Sequence, residues 1–364
     1  MDGLVRYHEG MERPEPGERE AIEGIIAAMS VETDKVADAQ GGRAVRASHA
    51  KTSGVLKGEL RVHDDLAAPF RQGLFATPGA SFPALVRFAQ GAGEHLSDKV
   101  STHRGMAVKL FGVQGPKLPG HPDDTQDFVF ATGPVFPDKD AGAFLGSIRK
   151  IESHAGGSET LKRAVSATAR GLNAAAKAVT GSDVPRLDFF GHAKLHPLAE
   201  SYHSQVPLRF GDHVAKLAWF PVTTAQEGLR GATIDTAENP DAFRHATESY
   251  FRAQPAVFEL RAQLCTDLDT MPIEDASVEW PERDSPYVPV ATLTIPPQAA
   301  MSELRVRFVE ENVSFRPAHS LEAHRPLGSL MRARLAVYGA LAAKRQDHNG
   351  SAPVEPAGLD AVPD

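Results

Sequence analysis

The chain has 364 residues and carries 39 Lys+Arg against 47 Asp+Glu, a net charge of −8, which is not the footprint of a nucleic-acid binder. Its single cysteine, Cys265, excludes an internal disulfide framework and any multi-thiolate zinc site. No apolar run reaches the roughly 18 residues of a membrane span, and MDGLVRYHEGMERPEPGERE lacks the apolar centre of a signal peptide, so a cytoplasmic protein without membrane insertion is expected.

Residues 1–20 are charged and contain Pro and Gly, which predicts an extended arm, and AIEGIIAAMS at 21–30 predicts a short helix. From 43 to about 136 the runs VLKGELRVH, ALVRFAQ, GMAVKLFGV and TQDFVFAT alternate or are rich in β-branched and aromatic residues, as strands of an antiparallel sheet or barrel would be. AGAFLGSIRKIESH and TLKRAVSATARGLNAAAKAVTG, between 141 and 181, have helical apolar spacing and much alanine. QVPLRFG, AKLAWFPVT, VPVATLTIP and LRVRFVEE predict a second set of strands, interrupted by a helical stretch PDAFRHATESYFRAQPAVFELRAQL. RPLGSLMRARLAVYGALAAKR predicts the last helix, and the polar tail QDHNGSAPVEPAGLDAVPD is expected to be mobile. The expected organisation is an arm at 1–20, one α+β domain over 21–345 with a helical insert at about 138–200, and a flexible tail at 346–364.

In the last helix, Arg334 stands four residues before Tyr338 and Arg345 seven after it, so the three share one helical face. An Arg one turn from a Tyr can simply stack on its ring. A guanidinium beside a phenol also favours the phenolate, and tyrosinate is a known haem ligand. The stretch VRASHAKTSG places Arg46 three residues before His49, followed downstream by Arg87 in VRFAQ and by HRGMAVKLF. HDD at 63–65 and HPDD at 121–124 hold metal-ligand residue types, but no second histidine at helical spacing accompanies them.

The ordered series R-x-x-H-A-K, V-R-F, R-G-x-A-V-K and R-x-x-x-Y resembles the haem catalase superfamily, in particular its short branch of catalase-related peroxidases. The resemblance implies an antiparallel β-barrel core with surrounding helices and a buried haem b. It implies that His49 is the distal acid–base group, moving a proton from one peroxide oxygen to the leaving oxygen. Tyr338 would be the iron ligand, Arg334 its charge partner, and Arg46, Arg87 and Arg345 the cations that meet the haem propionates. Phe128 would contact the cofactor. The chain also departs from the family pattern. Asp123 takes the place of a distal asparagine, Ala89 replaces the serine that supports the distal histidine, and Ser48 precedes that histidine where true catalases carry valine.

The implied activity is reduction of hydrogen peroxide or organic hydroperoxides by small organic donors, with weak catalase activity at most. The alternatives are a fatty-acid hydroperoxide isomerase or lyase, which Ser48 favours, and a non-catalytic haem carrier, which His49 disfavours. The implied partners are a peroxide and an organic electron donor, and a homo-oligomer is compatible with the resemblance. With 19 residues after Arg345, no flavodoxin-like C-terminal domain or nicotinamide site is expected.

Overall fold

The computed structural model describes residues 3–152, 158–352 and 354–364. Among the described residues nine strands run in chain order as β1 (Thr52–Val62), β2 (Ser81–Gln90), β3 (Arg104–Phe111), β4 (Thr125–Thr132), β5 (Tyr202–His203), β6 (Leu208–Phe210), β7 (His213–Pro221), β8 (Ala256–Leu264) and β9 (Val288–Ile295). The helices are α1 (Glu18–Ala39), α2 (Ala141–Glu152), α3 (Glu159–Thr180), α4 (Pro185–Gly191), α5 (Thr224–Glu227), α6 (Ala242–Phe251), α7 (Glu303–Asn312) and α8 (Ser329–Asn349).

The paired strands follow the order β5-β4-β3-β2-β1-β9-β8-β7-β6, every pairing is antiparallel, and β5 also pairs with β7. That last pairing closes an eight-stranded antiparallel barrel, with β6 extending the edge of β7 beside β5. Closure leaves few exposed ladder groups, which is how a barrel avoids sticky edges.

Side chains alternate across each strand, so Val86 and Phe88, Met106 and Val108, and Phe128 and Phe130 point into the barrel. There they pack with Trp219, Phe258, Leu260 and Leu293 as one continuous core. The opposite parity of β2–β4 faces outward, toward α1 and α8, and it is this outer face that carries the candidate site.

Several segments differ from expectation. The N-terminal helix begins at Glu18, inside the expected arm, and continues to Ala39 because VETDKVADA has neither Gly nor Pro and buries one face through Thr33, Val36 and Ala37. LRVRFVEE is not a strand but α7: Ser302 caps it by accepting from the Arg305 amide, and Arg305 and Val309, one turn apart, are its buried pair. The helical stretch from 240 to 264 is helix only to Phe251. Pro255 interrupts it, and AVFELRAQL, which alternates in burial, becomes β8. In the insert, α2 and α3 form where expected, while Ser153 and His154 lie outside the described residues. The C-terminal segment is packed rather than loose: α8 runs on to Asn349, Val362 is buried beside Val55 and Phe315, and Asp364 pairs with Lys57 at 2.7 Å. No helix among the described residues is long and apolar enough to cross a membrane.

Candidate haem site

On the outer face of β2–β4 two rungs lie side by side: Arg87–Ala107–Val129 and Ala89–Gly105–Ala131. Apart from the arginine these are small side chains, so the strands present a flat floor. Helix α8 stands opposite and contributes Val337, Tyr338 and Leu341. Between floor and helix lies a cavity of two adjoining lobes, which share Ser48, His49, Val129, Val337 and Tyr338 on their walls.

One lobe is apolar and aromatic, walled by Ile25, Phe136, Phe144, Phe189, Val206 and Leu330. The other is cationic, with Arg46, Arg87, Arg316 and Arg345 on its walls. Glu310, on α7, is the carboxylate set among these arginines. It pairs with Arg46 and, at 3.0 Å, with Arg87, and accepts from the Thr52 hydroxyl at 2.7 Å. Burial would raise the Glu310 carboxyl, but Arg46 and Arg87 outweigh it and hold the group at about 2.

The four arginines are not equivalent. Arg46 also donates to the carbonyls of Val309 and Val313, at 3.1 and 2.8 Å, so it is largely spent on α7. Arg87 donates to the carbonyls of His49 and Ala50, at 2.8 and 3.3 Å. Arg345 is buried, and no carboxylate lies within ion-pair distance of it among the described residues. Burial, then the neighbouring Arg46, pushes it down to about 9. Arg316 donates to Ser314 Oγ at 3.4 Å, and its Nε is buried without a partner. Arg345, with no carboxylate within ion-pair distance among the described residues, and the unpartnered Arg316 Nε leave this end short of an anion. Arg316 was missed by sequence reasoning. Only the loop that brings SFRPAHS back beside β4, through the Arg316 amide to Asp127 at 2.9 Å, reveals it.

His49 precedes β1 and has a left-handed backbone, φ 55°, an uncommon conformation for a non-glycine residue. Hydrogen bonds hold it there: its amide donates to Gly91 O at 3.1 Å, its carbonyl accepts from Arg87, and Ala50 N donates to Ala92 O at 2.9 Å. The ring lies over Gly105, where a Cβ would come within 2.7 Å of His49 Nδ1. That nitrogen is buried without a partner, as expected where Ala89 supplies no hydroxyl. Burial, then the nearby His103, Arg87 and Arg334, pushes His49 well below the usual histidine value, so the ring is neutral at pH 7. Ser48 lines both lobes, but its hydroxyl donates to Gly91 O at 3.2 Å.

On α8, Arg334 donates to Tyr338 Oη at 3.3 Å and to the Val129 carbonyl at 2.9 Å, so the helix is pinned to the strand floor through the residue that touches the phenol.

The structure thus brings His49, Ser48, Arg46, Arg87, Arg334, Tyr338 and Arg345 to one cavity. It does not bring Asp123 or Phe128 there. Asp123 sits on the exposed turn before β4. Phe128 has the inward parity of β4 and packs against Phe130 and Trp219 inside the barrel. Ala131 and Phe136 line the cavity wall instead. Of the metal-type turns, His121 stacks on His319 at 4.6 Å and contacts Thr125, away from the cavity.

Residues 33–163 match the family model for catalase. The structure is similar to that of a fungal catalase, at 17% identity and TM-score 0.61, covering 98% of this chain and 69% of that one. It is likewise similar to catalase A from Saccharomyces cerevisiae, at 14% identity and TM-score 0.57, covering 96% and 68%. No curated protein matches. The fold is the catalase fold, a closed barrel with surrounding helices. The family match covers residues 33–163, and the likeness to the two catalases is one of fold.

Proposed function

We propose that the protein is a haem-dependent peroxidase of the catalase-related kind, reducing hydrogen peroxide or organic hydroperoxides with small organic donors, with weak catalase activity at most. One observation carries the reading: His49 and Tyr338 line a single cavity that is apolar at one end and has an unneutralised arginine cluster at the other. A flat apolar macrocycle with carboxylates on one edge matches that polarity. The buried guanidinium of Arg345 and the orphaned Arg316 Nε supply the unmet demand for an anion.

Tyr338 would hold the iron, Arg345 and Arg316 would take the propionates, and Arg46 and Arg87 would back them through Glu310. The lone Cys265 is buried in a separate cluster with Val214 and Met271, so no thiol is at hand for covalent attachment, which favours haem b. When bound, haem supplies the redox-active centre at which a peroxide O–O bond is broken.

The chain's own part is proton movement and positioning. Neutral His49 accepts the proton from one peroxide oxygen and returns it to the leaving oxygen. Arg87 and Gly105 fix the ring that does so. The nearby outer-face positions of β2 and β4 are Ala89 and Ala131, which offer neither hydroxyl nor amide to orient a second small peroxide as reductant. That favours organic donors over peroxide disproportionation.

Stopped-flow mixing of haem-loaded protein with peroxide tests the reading. His49→Ala should bind haem as the parent does, yet react about 10²–10⁴-fold more slowly, the usual cost of losing a positioned acid–base group. An equal rate would remove His49 from the chemistry and reduce the likeness to catalases to shared fold.

A further inference from the structure

The apolar lobe holds a second imidazole. His103, just before β3, is buried with its ring stacked on Phe189 at 4.0 Å and edge-on to His49, the two imidazole centres 5.2 Å apart. The fit is built on both sides. Gly91 leaves the room, since a Cβ there would come within 2.3 Å of His103 Cε1. Phe189 belongs to α4, which a buried charge network ties to the barrel: Arg104 of β3 pairs with Glu200, Glu200 with His192, and His192 with Asp188 of α4 at 2.8 Å.

Tautomer follows from one hydrogen bond. His103 Nδ1 lies 3.3 Å from the Phe189 carbonyl, and a carbonyl only accepts, so Nδ1 carries the proton. Burial holds the ring at about 4, hence neutral at pH 7. The other nitrogen, Nε2, therefore keeps its lone pair, and it has no protein partner among the described residues. The donors of Ser48, Gln205 and Arg334 on this lobe are already committed. Ser48 donates to Gly91 O at 3.2 Å, the Gln205 amide nitrogen donates to Val135 O at 3.0 Å, and Arg334 is bound to Val129 O and Tyr338. Two imidazole acceptors stand on adjoining rings whose centres are 5.2 Å apart, within reach of one molecule with two adjacent O–H groups.

We propose that His103 is a second peroxide-binding residue, accepting at Nε2 the hydrogen bond from the O–H that His49 does not take. The inference rests on the peroxidase reading and refines its substrate. Hydrogen peroxide has two O–H donors and satisfies both rings. An alkyl hydroperoxide has one, which His49 takes, and leaves His103 unmet. The site therefore selects hydrogen peroxide over alkyl hydroperoxides, although its walls are apolar.

The test compares hydrogen peroxide with tert-butyl hydroperoxide on haem-loaded parent and His103→Phe. Loss of one neutral hydrogen bond should slow the reaction with hydrogen peroxide by about five- to tenfold and that with the alkyl peroxide by less than about twofold. Equal slowing of both, or of neither, would overturn the inference while leaving the peroxidase reading standing. A parent inert to both peroxides would overturn both. Histidine 15N shifts of the haem-free parent give an independent readout that needs no variant: His103 should show protonated Nδ1 and bare Nε2. A proton on Nε2 would remove the acceptor and the proposal with it.

Discussion

At the scale of single residues, the site depends on placing two rings. Gly105→Ala would put a methyl group against His49 Nδ1. The imidazole would then have to move, so haem content should be unchanged while the peroxide reaction slows at least tenfold, as stopped-flow absorbance would show. Ala89→Ser should act the other way, giving the buried Nδ1 the partner it lacks and raising the rate of the same step. Because burial and nearby charges lower His49 well below its ordinary value, the neutral base persists as pH falls through the usual histidine range. The rate constant for peroxide should accordingly stay flat from pH 8 to about 6 and decline only in more acidic buffer. A decline centred near the unperturbed histidine value of about 6.5 would contradict the burial argument.

The residues that the sequence disclosed are those that sit in short ordered motifs, His49, Arg46, Arg87, Arg334, Tyr338 and Arg345, all on the cavity wall. Asp123 and Phe128 belong to a segment whose strand register the motifs do not fix. Two aromatics on the inward parity of β4 turn Val129 and Ala131 outward instead. Arg316 belongs to no motif, and His103 stands at the head of HRGMAVKLF without a role there; both become visible only when a loop and an insert helix fold back over the strands.

At the scale of elements, the first four strands were legible because alternation coincided with β-branched and aromatic residues. α7 and β8 were not. LRVRFVEE alternates like a strand, yet Leu304 is 70% exposed and the buried pair is Arg305 and Val309, so capping and tertiary packing decided for helix. In β8 the preceding helical pattern hid a change of period at Pro255. The insert offers a pH test of its own. Burial opposes a charge on His192, but Glu200 and Asp188 outweigh it and raise the group to about 9. A raised histidine contributes stability fully below its unfolded value, near 6.5, and loses it as pH climbs through about 9. Urea midpoints of the parent should therefore fall between pH 7 and 10, and His192→Gln should lack that slope. Parallel profiles would show that the network does not anchor α4.

At the scale of the whole molecule, the closed barrel is complete within its own core, while the cavity lies between its outer face and α8. Ligand binding should then stabilise the packing of α1, α2 and α8 on the strands rather than create the fold. Haem at a hundredfold excess over its dissociation constant adds about 2.7 kcal/mol if it binds only the folded chain. Calorimetry should show a melting temperature that rises with added haem in the parent and rises much less in Tyr338→Phe, with both haem-free forms melting alike.

The central claim is that Tyr338 and the arginine-lined cavity hold haem opposite His49. The absorption spectrum and haem content of purified protein, parent beside Tyr338→Phe, test it most directly. The account predicts stoichiometric haem with a high-spin ferric, tyrosinate-type spectrum in the parent, and loss of that spectrum with weakened haem retention in the variant. A parent that takes up no haem when haem is supplied, or a variant with the parent's spectrum and haem content, would contradict it.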